Sequence, residues 1–179
     1  YSKPVTEPAI AFTDFRRDPK KHPLPTSSGK IEIFSRELHD KNNPAEIPAV
    51  PKYIQEWESP FGPEAEQYPL QVIGTHFMPR VHSTFSNCDW NNEAFPQRVF
   101  INPLDAEVRG LSDGDKVKVF NDRGTLILPC QITRRILPGV INIPQGAWWQ
   151  PDEDGNDIGG AVNVLTSERW SPFAFGNTQ

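Results

Sequence analysis

The sequence predicts a mainly β fold, a small barrel or sandwich with short helices, set behind an irregular proline-rich N-terminal extension. Three observations predict it. Eleven of the 19 prolines fall in the first 69 of 179 residues, and those at 44, 48, 51, 60, 63 and 69 deny a helix any uninterrupted length. From Leu70 onward, apolar runs recur about every eight to twelve residues with turn residues between them. Leu126, Leu128, Cys130 and Ile132 alternate at period two, the spacing of a strand with one buried face.

Taken in order, the extension (residues 1–67) offers one alternating run, Lys30–Phe34, which reads as a short strand. Ser35 is placed to cap a brief helix through Leu38 and His39. The second region (68–179) opens on a strand, Leu70–Thr75, and a further strand covers Val99–Ile101. Asn102 is then a good N-cap, Pro103 a good first helical residue and Gly110 a good stop. Val117–Phe120 pairs with the run from Leu126 through a turn at Asn121–Gly124. Lys116 and Lys118 point outward and Val117 and Val119 inward. Val140–Ile143 supplies one more strand.

Bulk properties exclude several functions. A formal charge of -5 argues against nonspecific nucleic-acid binding, which needs a basic surface. No run approaches the ~20 apolar residues of a membrane-spanning helix, so no direct membrane insertion is expected. Cys88 and Cys130 lie too far apart for a CxxC motif, so these residues alone ligate no iron–sulfur cluster. Phosphate-loop, HExxH and GxSxG signatures are missing, and no residue is expected to be catalytic or to ligate a metal.

The chemistry concentrates at Gly74–Ser83, which leaves a strand end and carries Thr75, His76, Arg80, His82 and Ser83. Loops at strand ends commonly display ligand groups, and Arg80 offers a planar fork for phosphate. The same residues also suit an ordinary polar loop bonded to its own backbone. Trp148 and Trp149 either wall a cavity or pack the extension against the barrel. Asp152–Asp157 lacks the twelfth-position glutamate of a calcium loop and reads as a solvated hairpin tip. Asn163, among small and apolar neighbours, is either satisfied by backbone or held for a ligand.

The order of motifs resembles a known family. Ile73-Gly74-Thr75-His76 with Arg80 and His82-Ser83 comes first, then Ile101-Asn102-Pro103 with Asp105-Ala106. Gly110-Leu111, Asp113-Gly114-Asp115, Val117, Val119, Asn121 and Arg123-Gly124 follow, then Pro138-Gly139-Val140, Gly146-Ala147-Trp148 and Asn163-Val164-Leu165-Thr166. Together these resemble the C-terminal molybdopterin-dinucleotide-binding domain of the dimethyl sulfoxide reductase family, of the catalytic-subunit type, from about Tyr68 to Gln179. Thr26–Ser35 is similar to the stretch preceding that domain.

The resemblance implies a double-psi β-barrel closing over one of the two pterins of a bis-molybdopterin guanine dinucleotide cofactor (bis-MGD, molybdenum). Thr75, His76, Arg80, His82 and Ser83 would lie along the pterin and its pyrophosphate, Asn163 would bond the pterin ring, and Gly176 would approach the cofactor. Arg80, His82 and Asn163 should then converge on one face. The resemblance further implies an N-terminal catalytic portion of the same polypeptide, carrying the molybdenum ligand and the iron–sulfur cysteines. An iron–sulfur electron-transfer subunit, a membrane-anchor subunit and a periplasmic or membrane-associated location are implied in the same way, with a small oxo-substrate such as dimethyl sulfoxide. These 179 residues alone should lack reductase activity. The contrasting reading is a free-standing double-psi barrel acting as a protein-interaction module, which has no reason to carry Asn163 together with His82-Ser83.

Overall fold

The structure, a computed structural model, describes residues 8–173. The chain divides into two compact units, Tyr1–Ile54 and Gln55–Gln179. In the first, helix α1 spans Thr13–Arg17 and α2 spans Arg36–Asp40. The Ser35 side chain accepts from the Leu38 amide and starts α2 as expected. Lys30–Phe34 is not a strand. No strand pairs with it among the described residues, and Ile31 and Ile33 are 73% and 74% exposed. Local bonds win instead: Glu32 Oε1 accepts from the Ser27 hydroxyl at 2.8 Å and the Ser28 amide at 2.8 Å, folding the segment back on itself.

The second unit is mainly β. Its five strands are β1 (Gln71–Ile73), β2 (Val99–Ile101), β3 (Lys116–Phe120), β4 (Thr125–Ile132) and β5 (Val140–Asn142). They form one mixed, curled sheet in the order β1-β5-β2-β4-β3. The β3–β4 hairpin turns where expected, with Phe120 opposite Thr125 and the Asn121 amide bonded to the Gly124 carbonyl at 3.1 Å. Along β4, Leu126, Leu128 and Cys130 are buried, while on β3 Lys116 and Lys118 are exposed. Val99, Ile101, Ile141 and Ile143 complete the centre of the core with Val162 and Leu165. Each such aliphatic side chain contributes about 1.5–3 kcal/mol on burial.

Helix α3 (Asp89–Ala94) was not legible in its polar sequence; it is held by the Asn91 side chain, buried and donating to the Pro79 carbonyl at 2.9 Å. Helix α4 (Pro103–Glu107) starts as expected, with Asn102 accepting from the Leu104 amide.

Two pairings are parallel, β1 with β5 and β2 with β4, and β2 runs antiparallel to β5. Parallel neighbours cannot be joined by a tight turn and need long crossings. Neither parallel pair is consecutive in the chain, and residues 74–98 carry it from β1 past the place of β5 to β2.

Candidate functional site

The parallel register of β1 and β5 determines where the polar loop goes. Ile73 lies opposite Asn142, so both strands release their chains at the same end. The ladder continues beyond them: the Ile143 amide donates to the Ile73 carbonyl at 3.1 Å and the Gln145 amide to the Thr75 carbonyl at 2.9 Å. Loops leaving the carboxyl ends of parallel strands are a favoured place for ligands.

This arrangement brings four of the sequence-predicted residues together. The Thr75 hydroxyl donates to Asn142 Oδ1 at 3.1 Å. The His76 and His82 rings meet edge to face at 5.0 Å. Gln145 Nε2 lies 3.1 Å from His76 Nδ1 and 3.4 Å from His82 Nδ1. One side-chain amide thus stands between the Nδ1 atoms of both rings, with the tautomers following the way that amide is turned. His82 has φ 52, the left-handed conformation that closes a turn from Val81 to Thr84. The Ser83 carbonyl accepts from Trp148 Nε1 at 3.0 Å, so this tryptophan packs against the loop and its ring is tethered there. Thr75, His76, His82 and Ser83 are all exposed.

Arg80 is placed differently. It is only 7% exposed and turned inward, its guanidinium over the Phe77 ring, with Nη2 donating to Gln97 Oε1 at 2.5 Å and Nη1 to Ser86 Oγ at 3.5 Å. Nε has no partner. Burial lowers its pKa, and no carboxylate among the described residues neutralises it. Arg80 thus places a buried positive charge, with no ion pair among the described residues, within the loop that carries His76 and His82.

Asn163 sits in a 3-10 turn, Val162–Leu165, fastened through the Leu165 carbonyl to Asn121 Nδ2 at 2.8 Å and Arg123 Nε at 2.9 Å. The side chain is exposed, contrary to the buried amide the neighbouring residues suggested, and it makes no hydrogen bond among the described residues. No bond joins it directly to His82 or Arg80 there. Gly176 lies outside the described residues.

Sequence reasoning missed two residues. Gln145 supplies the amide between the histidines. Asp157, within the supposed solvated tip, is 1% exposed. Its Oδ1 accepts from the Gln150 and Gly159 amides at 2.8 and 2.9 Å, and its Oδ2 from the Gly160 and Ala161 amides at 3.0 and 2.6 Å. The pattern Asp157-Ile158-Gly159-Gly160 was the available signal, because glycines let backbone amides turn back on a carboxylate. The remainder of the tip is solvated as expected, with exposed Glu153 and Asp154.

A flat heterocycle with a diphosphate tail needs exposed donors and acceptors beside an unneutralised cation, and this end of the sheet has both. The donor set fits such a group. Residues 70–178 match the molydopterin dinucleotide binding domain family. The chain belongs to that family. It is 46% identical over 94% of its length to the dimethyl sulfoxide reductase DmsA of Escherichia coli strain K12, covering 21% of that protein. A DmsA of Haemophilus influenzae is likewise 46% identical, and the dimethyl sulfoxide/trimethylamine N-oxide reductase of Cereibacter sphaeroides is 38% identical over 91% of this chain, with 22% and 21% of each relative covered. The chain thus spans about a fifth of the relatives it matches. Acetylene hydratase from Pelobacter acetylenicus shares the fold, with TM-score 0.68 and 23% identity over 85% of this chain and 22% of that one. The cofactor of this domain is accordingly a molybdopterin dinucleotide, and its family that of the dimethyl sulfoxide reductases.

Proposed function

We propose that this chain is the C-terminal, cofactor-holding domain of a molybdenum oxidoreductase that reduces a small oxo-substrate such as dimethyl sulfoxide. The observation that carries the reading is the family match over 70–178 with exposed Thr75, His76, His82 and Ser83 and half-buried Gln145 at the shared end of β1 and β5. The cofactor is bis-MGD, one of whose pterins this domain covers. When bound, it supplies the metal at which an oxygen atom and an electron pair are exchanged. The chain's own residues bind and orient it. The imidazoles of His76 and His82 and the Ser83 hydroxyl would bond its polar atoms, and the Asn163 amide would pair with the ring edge. Arg80, although turned inward, favours the diphosphate by its charge.

The two parallel pairings support closure as a double-psi barrel over residues 68–179, with 1–67 as the connector to an N-terminal catalytic portion. Relatives about five times longer, named as reductases, support that portion as part of the same polypeptide. An iron–sulfur electron-transfer subunit, a membrane-anchor subunit and a periplasmic or membrane-associated site of action belong to the same reading. So does the inactivity of these 179 residues alone.

Asn163→Ala tests it. The exposed amide makes no hydrogen bond among the described residues, so stability should change by less than about 0.5 kcal/mol. In the full-length enzyme the lost pairing costs about 1–3 kcal/mol of cofactor binding, read as molybdenum per folded protein. Full molybdenum in a mutant that melts early makes Asn163 a structural residue and removes it from the site.

A further inference from the structure

The strand registers bring a third chain segment to the loop-bearing end of the sheet. Because β2 runs antiparallel to β5, with Phe100 opposite Asn142, the residues preceding β2 lie beside those following β5. Gln97 is there. Its Oε1 accepts from Arg80 Nη2 at 2.5 Å, while its Nε2 donates to the Pro144 carbonyl at 2.6 Å and the Gly160 carbonyl at 3.3 Å. Oxygen toward a guanidinium and nitrogen toward two carbonyls is the one amide orientation that satisfies all three. Gly160 packs so closely that a Cβ would lie 2.5 Å from Gln97 Cγ.

These three bonds reach three separate segments. Arg80 belongs to the loop of His76, His82 and Ser83. Pro144 precedes Gln145, which bridges the histidines. Gly160 precedes the turn that carries Asn163. Ser86 adds a second tie, taking Arg80 Nη1 at 3.5 Å and the Trp148 amide at 3.0 Å.

We propose that Gln97 is a positioning residue that sets the loops at 76–83, 144–149 and 159–163 in one mutual geometry for the dinucleotide. The inference rests on the cofactor-holding role proposed above. Of the groups assigned to the cofactor Gln97 bonds only Arg80, whose part there is its charge; otherwise it acts through the segments that bear them. Glutamine is specifically suited, because glutamate would face two carbonyl oxygens with a third oxygen and methionine would hold nothing.

The test uses the full-length protein purified with its cofactor and compares Gln97→Met and Gln97→Glu by backbone hydrogen exchange and by the rate of pterin-dinucleotide release. In Gln97→Met, exchange should rise together in all three segments by about tenfold, while the β3–β4 hairpin keeps its protection, and release should quicken by about tenfold. Gln97→Glu should keep 76–83 near wild-type protection, since Arg80 retains an acceptor, and loosen 144–149 and 159–163. If the Met variant does not fold, this split in the Glu variant carries the test. An even rise across the whole sheet, or no split in the Glu variant, overturns the proposal. So does a variant with loosened loops and wild-type release. A wild-type protein holding no pterin dinucleotide overturns the functional reading instead, and the inference with it.

Discussion

Asp157→Asn should be among the most damaging single-atom changes available to this protein. The carboxylate divides four backbone amides between its oxygens, two on Oδ1 and two on Oδ2. A carboxamide has one oxygen and one NH2, so two of the four amides lose their acceptor and meet a donor. Hydrogen bonds to a charged group contribute about 1.5–3 kcal/mol each, which places the loss at roughly 3–6 kcal/mol. The neighbourhood cannot relax into solvent, because the Asp157 backbone is itself paired with β4: its amide donates to the Thr125 carbonyl and its carbonyl accepts from the Ile127 amide, both at 2.9 Å. For a unit of this size each kcal/mol moves the melting temperature by about 3–5 °C, so a fall of about 10 °C or more is expected. Thermal unfolding at neutral pH, with exposed Glu153→Gln as the control, reads it directly. Melting within about 2 °C of wild type would refute the four-amide arrangement.

Two further predictions concern the same half of the molecule. Gly146 has φ 92, and a Cβ there would lie 1.9 Å from the His82 carbonyl oxygen, whereas Gly155, at φ 82, faces open space. Gly155→Ala should therefore cost only about 1 kcal/mol of backbone strain and Gly146→Ala about 2–4 kcal/mol, with equal melting of the two variants counting against the close approach. Asp152 has its pKa lowered, chiefly by the Asn156 side chain and then by the Asn156, Asp154 and Gly155 amides. A depressed carboxylate stabilises above its unfolded value and loses that contribution as pH falls through the folded one, so the tip should loosen only below about pH 3.9. An NMR titration of Asp152 with a midpoint at or above that value would contradict the bonds drawn here.

What was legible in the sequence was local. The β3–β4 hairpin follows from alternation over eight residues and a glycine-bearing turn, and α4 from Asn102 and Pro103 at its start. Lys30–Phe34 had the alternation of a strand but no pairing partner among the described residues, and a strand exists only by pairing. The polar loop was recognisable as a site, yet its interior order was not. Arg80 looked like a fork for phosphate because nothing near it in sequence announces that Gln97 and Ser86 will bury it. Asn163 looked buried because its neighbours Val162 and Leu165 are; a 3-10 turn of four residues can hide its two ends and expose Asn163 between them. Gln145 could not be linked to two histidines more than sixty positions earlier without the parallel register that puts β5 beside β1.

That register also imposes an order of assembly. The two histidines are synthesised well before the strand that supplies their shared amide, and β1 has no parallel neighbour until β5 exists. Contacts of such long sequence separation form late, since the intervening chain must first be closed into a loop. A nascent chain ending after β2 would already carry Thr75, His76, His82 and Ser83, but with nothing beneath them to fix their spacing. A fragile cofactor offered at that stage would meet an unformed surface; one offered after residue 145 has folded into place would meet a finished one. If these residues hold the cofactor, loading would follow completion of the sheet.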